Sequence, residues 1–339
     1  MEKKTGLLLI NTGSPDSCST AGVRRYLREF LMDPRVLDVP APLRALIVYG
    51  AILPFRPARS AAAYREIWTA EGSPLVAITK RLAERLRGEM EIPVAIAMRY
   101  GSLTPARALR QLSREDVHDV VLLPMFPHYA MSSYESAIEH VKQAARSHDT
   151  EIALHVIPPY YRHPAYIEAL ADSARPYVTH GFDHVLFSYH GMPVRHLRKV
   201  NSACGDCQTF AHHDSSAETC YQYQTIQTTQ ACAQALGLDR RRYSIAYQSR
   251  LGQDRWLEPS TVSQLERLAR SGVHSLAVIC PSFTVDCLET LEEIAMRGKD
   301  VFLGCGGKEF QLIPALNDNP VWAGALTQII AQAPSAAAP

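Results

Sequence analysis

The chain has 339 residues, of which 47% are hydrophobic and 20% charged, and its formal net charge is +1. This composition is typical of a water-soluble globular protein with room for two domains. A charge so close to neutral excludes a general attraction to nucleic acid. The Met-Glu-Lys-Lys start lacks the apolar stretch of a secretory signal, and the apolar run over residues 45–53 is too short to cross a bilayer. We therefore expect a cytoplasmic protein.

Apolar runs typical of buried strands alternate with longer helical stretches along the chain. The predicted strands are residues 6–10, 94–98, 120–123, 152–157, 184–187, 243–247, 276–280 and 301–303. The predicted helices between them are residues 21–30, 77–90, 134–146, 164–173, 228–236, 261–271 and 288–297. This alternation indicates βαβ units, and therefore an α/β fold with parallel sheets and helices on both faces.

Two strand-and-turn patterns occur in both halves of the chain in the same order. The strand that precedes NTGSP resembles the strand that precedes HGMP, and VLLPMF resembles VICPSF. Such an echo indicates two similar Rossmann-like domains, although strand, glycine or proline, then helix also recurs by chance in α/β proteins. We predict an N-terminal α/β domain over 1–157, a C-terminal α/β domain over 158–315, and a last helix and tail over 316–339 that packs on the first domain.

The segment SYHGMP, residues 188–193, places one imidazole, that of His190, at the end of a predicted strand. Ligands bind at the carboxyl ends of the strands in α/β sheets, and histidine can bind a metal or accept a proton near neutral pH. A second segment of the same layout follows the predicted strand 276–280 and carries Asp286 and Glu289. One imidazole and one carboxylate are suited to a divalent metal or to proton transfer.

These motifs resemble those of the ferrochelatases, the enzymes that insert ferrous iron into a porphyrin to make haem. The resemblance is carried by SYHGMP, FTVDCLETLEE and TGLLLINTGSPD, and by EGSPL, MRYG, LPMFPHY and YQSRLGQDRWL, in order from residue 5 to about residue 317. It implies an ATP-independent lyase of haem and porphyrin biosynthesis, with protoporphyrin IX and ferrous iron (Fe2+) as its substrates. It also implies a chelatase-like fold with the active site in the cleft between the two domains.

The resemblance implies that His190 and Glu289 are the catalytic and metal-binding pair, with Asp286 and Glu293 on a path for protons or metal. Nitrogen and oxygen ligands suit ferrous iron. Which of the pair is the base and which first holds the metal stays open. Glu289 and Glu293 would share one face of a helix, although Glu293 could also lie on a solvated face. Asp286 could cap that helix as well.

A porphyrin is flat, apolar and anionic, so its slot needs apolar walls and a few cations for the propionates. The porphyrin-binding candidates are Leu37, Tyr64, Arg99, Tyr100, Trp256 and Phe283. Each aromatic candidate could instead belong to an ordinary core, whereas Arg99 at the end of an apolar strand needs an anionic partner. For the apolar run 42–57 we expect a buried helix, with peripheral membrane contact as the alternative.

The segment over residues 200–222 is a cysteine-containing insertion relative to simple bacterial ferrochelatases. It holds Cys204 and Cys207 in a C-x-x-C pair, followed by Cys220. Some ferrochelatases carry a 2Fe-2S cluster, and the insertion resembles that subgroup. Such a cluster normally takes four cysteines, so a zinc site and a metal-free loop are further readings. The fourth ligand would be Cys232, Cys18, Cys287 or a histidine.

Three other functions are alternatives to protohaem formation. A coproporphyrin ferrochelatase would need more cations around the slot, and a non-catalytic haem or metal carrier on the same fold would need iron ligands without a proton path. A nucleotide-dependent enzyme finds little support, since no G-x-G-x-x-G follows the first strand. The sequence leaves the oligomeric state undetermined, because no heptad run marks an interface.

Overall fold

The computed structural model describes residues 4–147, 152–179, 181–200, 217–250, 252 and 254–332. These residues form two four-stranded sheets in which every pairing is parallel. By contacts, Met1–Met125, Ala130–Pro158 and Thr327–Pro339 form one compact unit, and Phe126–Tyr129 with Pro159–Leu326 form another. The predicted α/β fold with two parallel four-stranded sheets flanked by helices is confirmed.

The first unit contains strands β1 to β4 and helices α1 to α6. Its strands are β1 (Lys4–Gly13), β2 (Val94–Tyr100), β3 (Val117–Pro124) and β4 (Ala153–Val156), in the spatial order β2-β1-β3-β4. Its helices are α1 (Thr20–Met32), α2 (Ala41–Ala45), α3 (Arg56–Ile67), α4 (Pro74–Met90), α5 (Pro105–Arg114) and α6 (Ser136–Arg146), with π-helical segments Leu46–Ile52 and Met131–Glu135.

The second unit contains strands β5 to β8 in the equivalent order. These are β5 (His184–His190), β6 (Tyr243–Gln248), β7 (Ser275–Ile279) and β8 (Glu309–Leu312), arranged β6-β5-β7-β8. The later helices are α7 (Pro164–Val178), α8 (Val194–Val200), α9 (Tyr221–Ala235), α10 (Thr261–Arg270), α11 (Lys299–Gly304) and α12 (Pro320–Ala331), with a 3₁₀ turn Arg240–Arg242 and a π-helix Glu289–Gly298.

The central strands β1 and β5 are buried along their length. Leu7, Leu8, Leu9 and Ile10 of β1 are fully buried, as are Leu186 and Phe187 of β5. Helices cover both faces of a parallel sheet, which explains why these strands are continuously apolar in sequence. The polar residues that follow each run are therefore the first that leave the core, at the carboxyl end of the sheet.

Two expectations about apolar segments were wrong. Residues 301–303 belong to α11 rather than to a strand, because Phe302 alone is fully buried there while its neighbours are partly exposed. The last strand is β8 instead. Residues 42–57 are helical apart from a turn at 53–55, and only one side is buried: Val48 and Leu53 are buried, whereas Leu46 is 69% and Phe55 77% exposed.

Candidate functional site

His190 is the last residue of β5, the strand that pairs with β6 on one side and β7 on the other. Its main chain is held at both ends, because its N–H donates to Ser282 Oγ (3.1 Å) and its carbonyl accepts from the Tyr221 hydroxyl (2.8 Å). The ring Nδ1 lies 2.7 Å from the carbonyl oxygen of Gly191. A carbonyl only accepts, so Nδ1 carries a proton, and in the neutral ring the lone pair is on Nε2.

Close packing around His190 leaves no room for a side chain at position 191, which is a glycine. A Cβ there would lie 2.6 Å from the Gln248 carbonyl oxygen and 3.2 Å from the Trp256 ring. The Phe283 ring lies on another side, with its centroid 6.2 Å from that of His190. Two of the six predicted slot residues, Trp256 and Phe283, are thus gathered with His190 and Gly191 in the second unit.

Glu289 is the first residue of the π-helix Glu289–Gly298, where the sequence had predicted an ordinary α-helix. The turns of a π-helix close through i→i+5 hydrogen bonds and are wider than α-helical turns. Residues four apart, such as Glu289 and Glu293, then lie along the same side. The negative charge of Glu289 acts on Glu293, as does the charge of His190. His190, Glu289 and Glu293 are therefore near enough for their charges to interact.

Glu293 is a carboxylate in a partly buried, crowded position. Burial raises its pKa, and the nearby charge of Glu289 raises it further. Its Oε2 accepts from Ser249 Oγ at 2.5 Å, and its Oε1 lies 3.2 Å from the guanidinium of Arg297. Because the charge of Glu289 acts on this partly buried carboxylate, a bound cation or a proton would relieve the repulsion between them.

Asp286 lies three residues before the π-helix, whose N-cap position is Leu288 and has no side-chain cap bond, so the expected capping role is not seen. The Asp286 carboxylate accepts from Thr290 Oγ1 (2.9 Å) and Asn317 Nδ2 (2.7 Å), while its own N–H donates to Asn317 Oδ1 (2.9 Å). Only 6% of the residue is exposed. The Thr290 bond joins Asp286 to the first turn of the helix that carries Glu289. A place for Asp286 on a proton or metal path stays a prediction.

In the first unit, the side chains of Arg99 and Tyr100 converge on Asp33. Arg99 Nη2 donates to Asp33 Oδ2 (2.6 Å), the Tyr100 hydroxyl to the same oxygen (2.9 Å), and Ser136 Oγ to it as well (2.5 Å). Burial opposes the ionised carboxylate, but the Ser136 bond, the Arg35 N–H and the charge of Arg99 hold the pKa of Asp33 below its usual value. Arg99 thus has its anionic partner inside the protein, and a porphyrin contact for it stays a prediction.

The remaining slot candidates, Leu37 and Tyr64, also lie in the first unit. Tyr64 is buried in α3 against Trp68, with ring centroids 6.2 Å apart, and Leu37 is half-buried after α1, its N–H bonded to the Asp33 carbonyl (3.0 Å). Leu37 is therefore joined through the main chain to the residue that pairs with Arg99. Their contact with a porphyrin is untested.

Sequence reasoning missed four polar residues at the two clusters. They are Asp33 and Ser136 in the first unit, and Gln248 and Ser249 in the second. The signal for Gln248 was present, because it ends β6 next to β5 and the strand-end rule applies to it as it does to His190. Asp33 had no local signal beyond the need of Arg99 for an anion.

The predicted cysteine site is only partly within the described residues. Cys204 and Cys207 lie outside them, whereas Cys220 is fully buried immediately before α9. Cys232 lies on α9 twelve residues later, which places it about 18 Å along the helix from Cys220, too far to share one cluster. Burial and the charge of Glu289 raise the pKa of Cys287, which favours a neutral thiol there. Within the described ranges, no group of three or more His, Cys, Asp or Glu is arranged to hold a metal ion.

Comparison with known proteins decides the family. The ferrochelatase family model matches residues 4–333. The ferrochelatase of Pseudomonas putida is 46% identical over 338 residues, 96% of this chain and 98% of its own length; that of Azotobacter vinelandii is 46% identical over 95% and 97%. The chain belongs to the ferrochelatase family. Ferrochelatases are lyases of haem biosynthesis, and iron and a porphyrin are the substrates.

Solved structures show the same fold at low identity. The sirohydrochlorin chelatase SirB from Bacillus subtilis subspecies spizizenii in complex with cobalt has a TM-score of 0.54 at 8% identity, covering 97% of this ferrochelatase and 95% of SirB. SirB from Bacillus subtilis with Fe3+ gives 0.52 at 10% identity and the same coverage. These likenesses confirm the chelatase-like fold. No helix in the described parts of the chain has the length and hydropathy needed to span a membrane.

The Asp33–Arg99 pair predicts a stability difference that depends on pH. Asp33→Asn leaves the Arg99 guanidinium without its counter-charge, so we expect a loss of about 3 kcal/mol in unfolding free energy at pH 7. The folded-state pKa of Asp33 is lowered, so its contribution is complete above the unfolded value of 3.8 and disappears as the pH falls through the folded value. Urea unfolding of the wild type and of Asp33→Asn between pH 7 and pH 3 measures how far the difference in their unfolding free energies decreases.

Glu71→Gln is the matched control in the same unit, because Glu71 pairs with Arg81 where both side chains are exposed (62% and 42%). We expect it to cost less than about 1 kcal/mol. Equal losses in the two variants, or a difference for Asp33→Asn that does not decrease as the pH falls below 3.8, would contradict the assignment.

Proposed function

We propose that His190 and Glu289 carry out the insertion of ferrous iron into protoporphyrin IX in this ferrochelatase, forming protohaem. The observation that supports these roles is that His190, at the end of one parallel sheet, and Glu289 both act electrostatically on the Glu293 carboxylate. Insertion exchanges two pyrrole protons for one divalent cation. A site for this reaction needs a proton acceptor and negative charge for the metal, and this cluster offers both.

The geometry supports a different role in the reaction for the imidazole and for the carboxylates. His190 Nε2 presents a lone pair, since Nδ1 faces a carbonyl, and accepts a pyrrole proton. Glu289 and Glu293 hold negative charge along one side of the π-helix, which favours a dication over a single proton. Each pyrrole proton leaves its nitrogen for a basic group, and the nitrogen lone pair it frees binds the iron. The raised pKa of Glu293 suits it to pass protons onward.

We further propose that the cysteine insertion holds a 2Fe-2S cluster. The spacing of Cys204 and Cys207 supports this, and so does the position of Cys220, because a helix N-terminus stabilises a thiolate. Cys220 would attach the cluster to α9. When bound, a cluster of this kind can exchange electrons and holds its protein ligands in place.

Peripheral membrane contact is also proposed, for the segment Ala41–Phe55. Its exposed large apolar side chains are Leu43, Leu46, Tyr49 and Phe55, between 45% and 77% exposed. Arg44 does not face lipid head groups, because it is buried and donates to the carbonyl of Val39 (3.0 Å). A short helix with one apolar exposed side binds at an interface without spanning it.

The catalytic assignment predicts a loss of turnover in two variants. His190→Ala removes the proton acceptor and Glu289→Gln removes negative charge, so we expect turnover to fall about 100-fold or more in each. The assay is anaerobic incubation with ferrous iron and protoporphyrin IX, followed by the loss of porphyrin fluorescence. Glu292→Gln is the control on the same helix, since Glu292 pairs with Arg297 at 2.8 Å, and it should retain most activity.

Wild-type turnover in either variant, or an equal fall in Glu292→Gln, would contradict the assigned roles. Coproporphyrin III in a parallel assay separates the substrates, because faster turnover of coproporphyrin would refute protoporphyrin as the preferred substrate. Stoichiometric retention of haem without turnover would indicate a carrier.

The cluster proposal predicts visible thiolate-to-iron absorption in anaerobically purified protein, with about two iron and two acid-labile sulfide atoms per chain. Cys220→Ser should bleach this absorption, whereas Cys305→Ser, at the half-buried end of α11, should leave it unchanged. Zinc in place of iron, or neither metal, would refute the cluster.

The membrane proposal predicts flotation of the protein with liposomes that contain anionic lipid. Leu46→Asp with Phe55→Asp should return it to the soluble fraction, because both side chains are largely exposed. Val262→Asp, at an exposed position of α10 (54%), is the control and should still float. Wild-type protein that stays wholly soluble would refute membrane contact.

A further inference from the structure

Two adjacent residues at the end of β6, Gln248 and Ser249, both contact the π-helix that carries Glu289 and Glu293. Gln248 contacts the main chain at the first residue of that helix, and Ser249 contacts a side chain one turn later. Neither residue belongs to the π-helix or to β5. Together they join three elements that meet at the carboxyl end of the second sheet.

Gln248 connects the π-helix to the strand that carries His190. Its Nε2 donates to the carbonyl oxygen of Glu289 (3.0 Å), and its Oε1 accepts from Ser188 Oγ (2.7 Å). Its main-chain carbonyl accepts from Gly191 N–H (2.7 Å). Gln248 is 5% exposed, so loss of its donor to the Glu289 carbonyl would remove a hydrogen bond from a buried part of the site.

Ser249 fixes the carboxylate of Glu293 from a strained main chain. Its φ is +66°, in the left-handed region that costs a residue with a side chain about 1 kcal/mol or more. The hydroxyl donates to Glu293 Oε2 at 2.5 Å. Other described non-glycine residues with positive φ include Glu91 and Asp116, which end helices. Ser249 instead follows a strand, where its conformation directs the hydroxyl to the carboxylate.

We propose that Gln248 and Ser249 are positioning residues for iron insertion. Gln248 holds the main chain at Glu289 in register with β5 and His190, and Ser249 holds the Glu293 carboxylate toward the same cluster. Both act through the residues they hold, and neither touches the iron or the porphyrin. The proposal rests on the function proposed for His190 and Glu289, and it adds the residues that fix the separation between the proton acceptor and the carboxylates.

The first test separates positioning from folding at Gln248. Gln248→Glu keeps the side-chain length and an acceptor for Ser188 but loses the donor to the Glu289 carbonyl. Gln248→Met keeps the length without either bond. We expect kcat to fall about 10- to 100-fold in both, the range that a shift of about 1 Å in reacting groups produces, while KM for protoporphyrin IX stays near the wild-type value. Ser188→Ala, which spares the bond to Glu289, should retain kcat far better.

The second test uses substitutions that tolerate the main-chain conformation of Ser249. Ser249→Gly accepts the positive φ but has no donor, whereas Ser249→Asn accepts it and keeps an N–H donor. We expect kcat to fall in Ser249→Gly and to be largely recovered in Ser249→Asn, with similar thermal midpoints for both. A residue with only a structural role would not show this recovery.

The outcomes for this inference and for the proposed function are distinct. Absence of turnover in the wild-type protein would refute the proposed function itself. Wild-type turnover that collapses in His190→Ala but survives in Gln248→Met and Ser249→Gly would refute the positioning roles alone. A raised KM for porphyrin at unchanged kcat would also refute them, because it would indicate direct substrate contact.

Discussion

Parallel pairing of buried strands is the constraint on which the candidate site depends. In a parallel sheet the carboxyl ends of all strands lie at the same edge, and helical crossovers cover both faces. The polar residues that come directly after each buried strand therefore gather at that edge. In the second unit β5 and β6 end at that edge in register, with His190 opposite Gln248. The segment after β7 adds Ser282, which accepts the His190 N–H. His190 and the residues around it therefore come from three separate parts of the chain.

The protein places buried carboxylates in two contrasting ways. Asp33 is surrounded by donors and by the Arg99 guanidinium, which lowers its pKa and keeps it ionised. Glu293 faces a second carboxylate, that of Glu289, and its pKa is raised. The first arrangement is complete within the protein and mainly stabilises its unit. The second leaves negative charge that a cation or a proton can neutralise.

Much of the fold followed from the sequence, because a strand covered on both faces must be apolar along its length. The runs at residues 6–10, 94–98, 120–123, 184–187, 243–247 and 276–280 all lie in strands or at their ends. The prediction of a strand at residues 301–303 was wrong, since a short apolar run fits a helix with one buried side chain as well as it fits a strand. His190 and Glu289 were predicted from motif and strand-end position, and their roles stay a prediction. Asp33 was not predicted, because its partner Arg99 lies 66 residues away and pairing at that distance leaves no local pattern.

The π-helix shows why the remaining detail escapes the sequence. No residue preference distinguishes ETLEEIAMRG from an α-helix, and wider turns are a rare state that needs tertiary support. Part of that support comes from outside the helix, because Gln248 holds the carbonyl of Glu289 and Ser249 holds the Glu293 side chain. Asn317 holds Asp286, which lies before the first turn and accepts from Thr290 within it. Ser249 has a φ of +66°, and strained conformations persist only where surrounding contacts over-determine them. The strand end at Ser249 therefore fixes the Glu293 side chain by a contact that the sequence of the helix does not reveal.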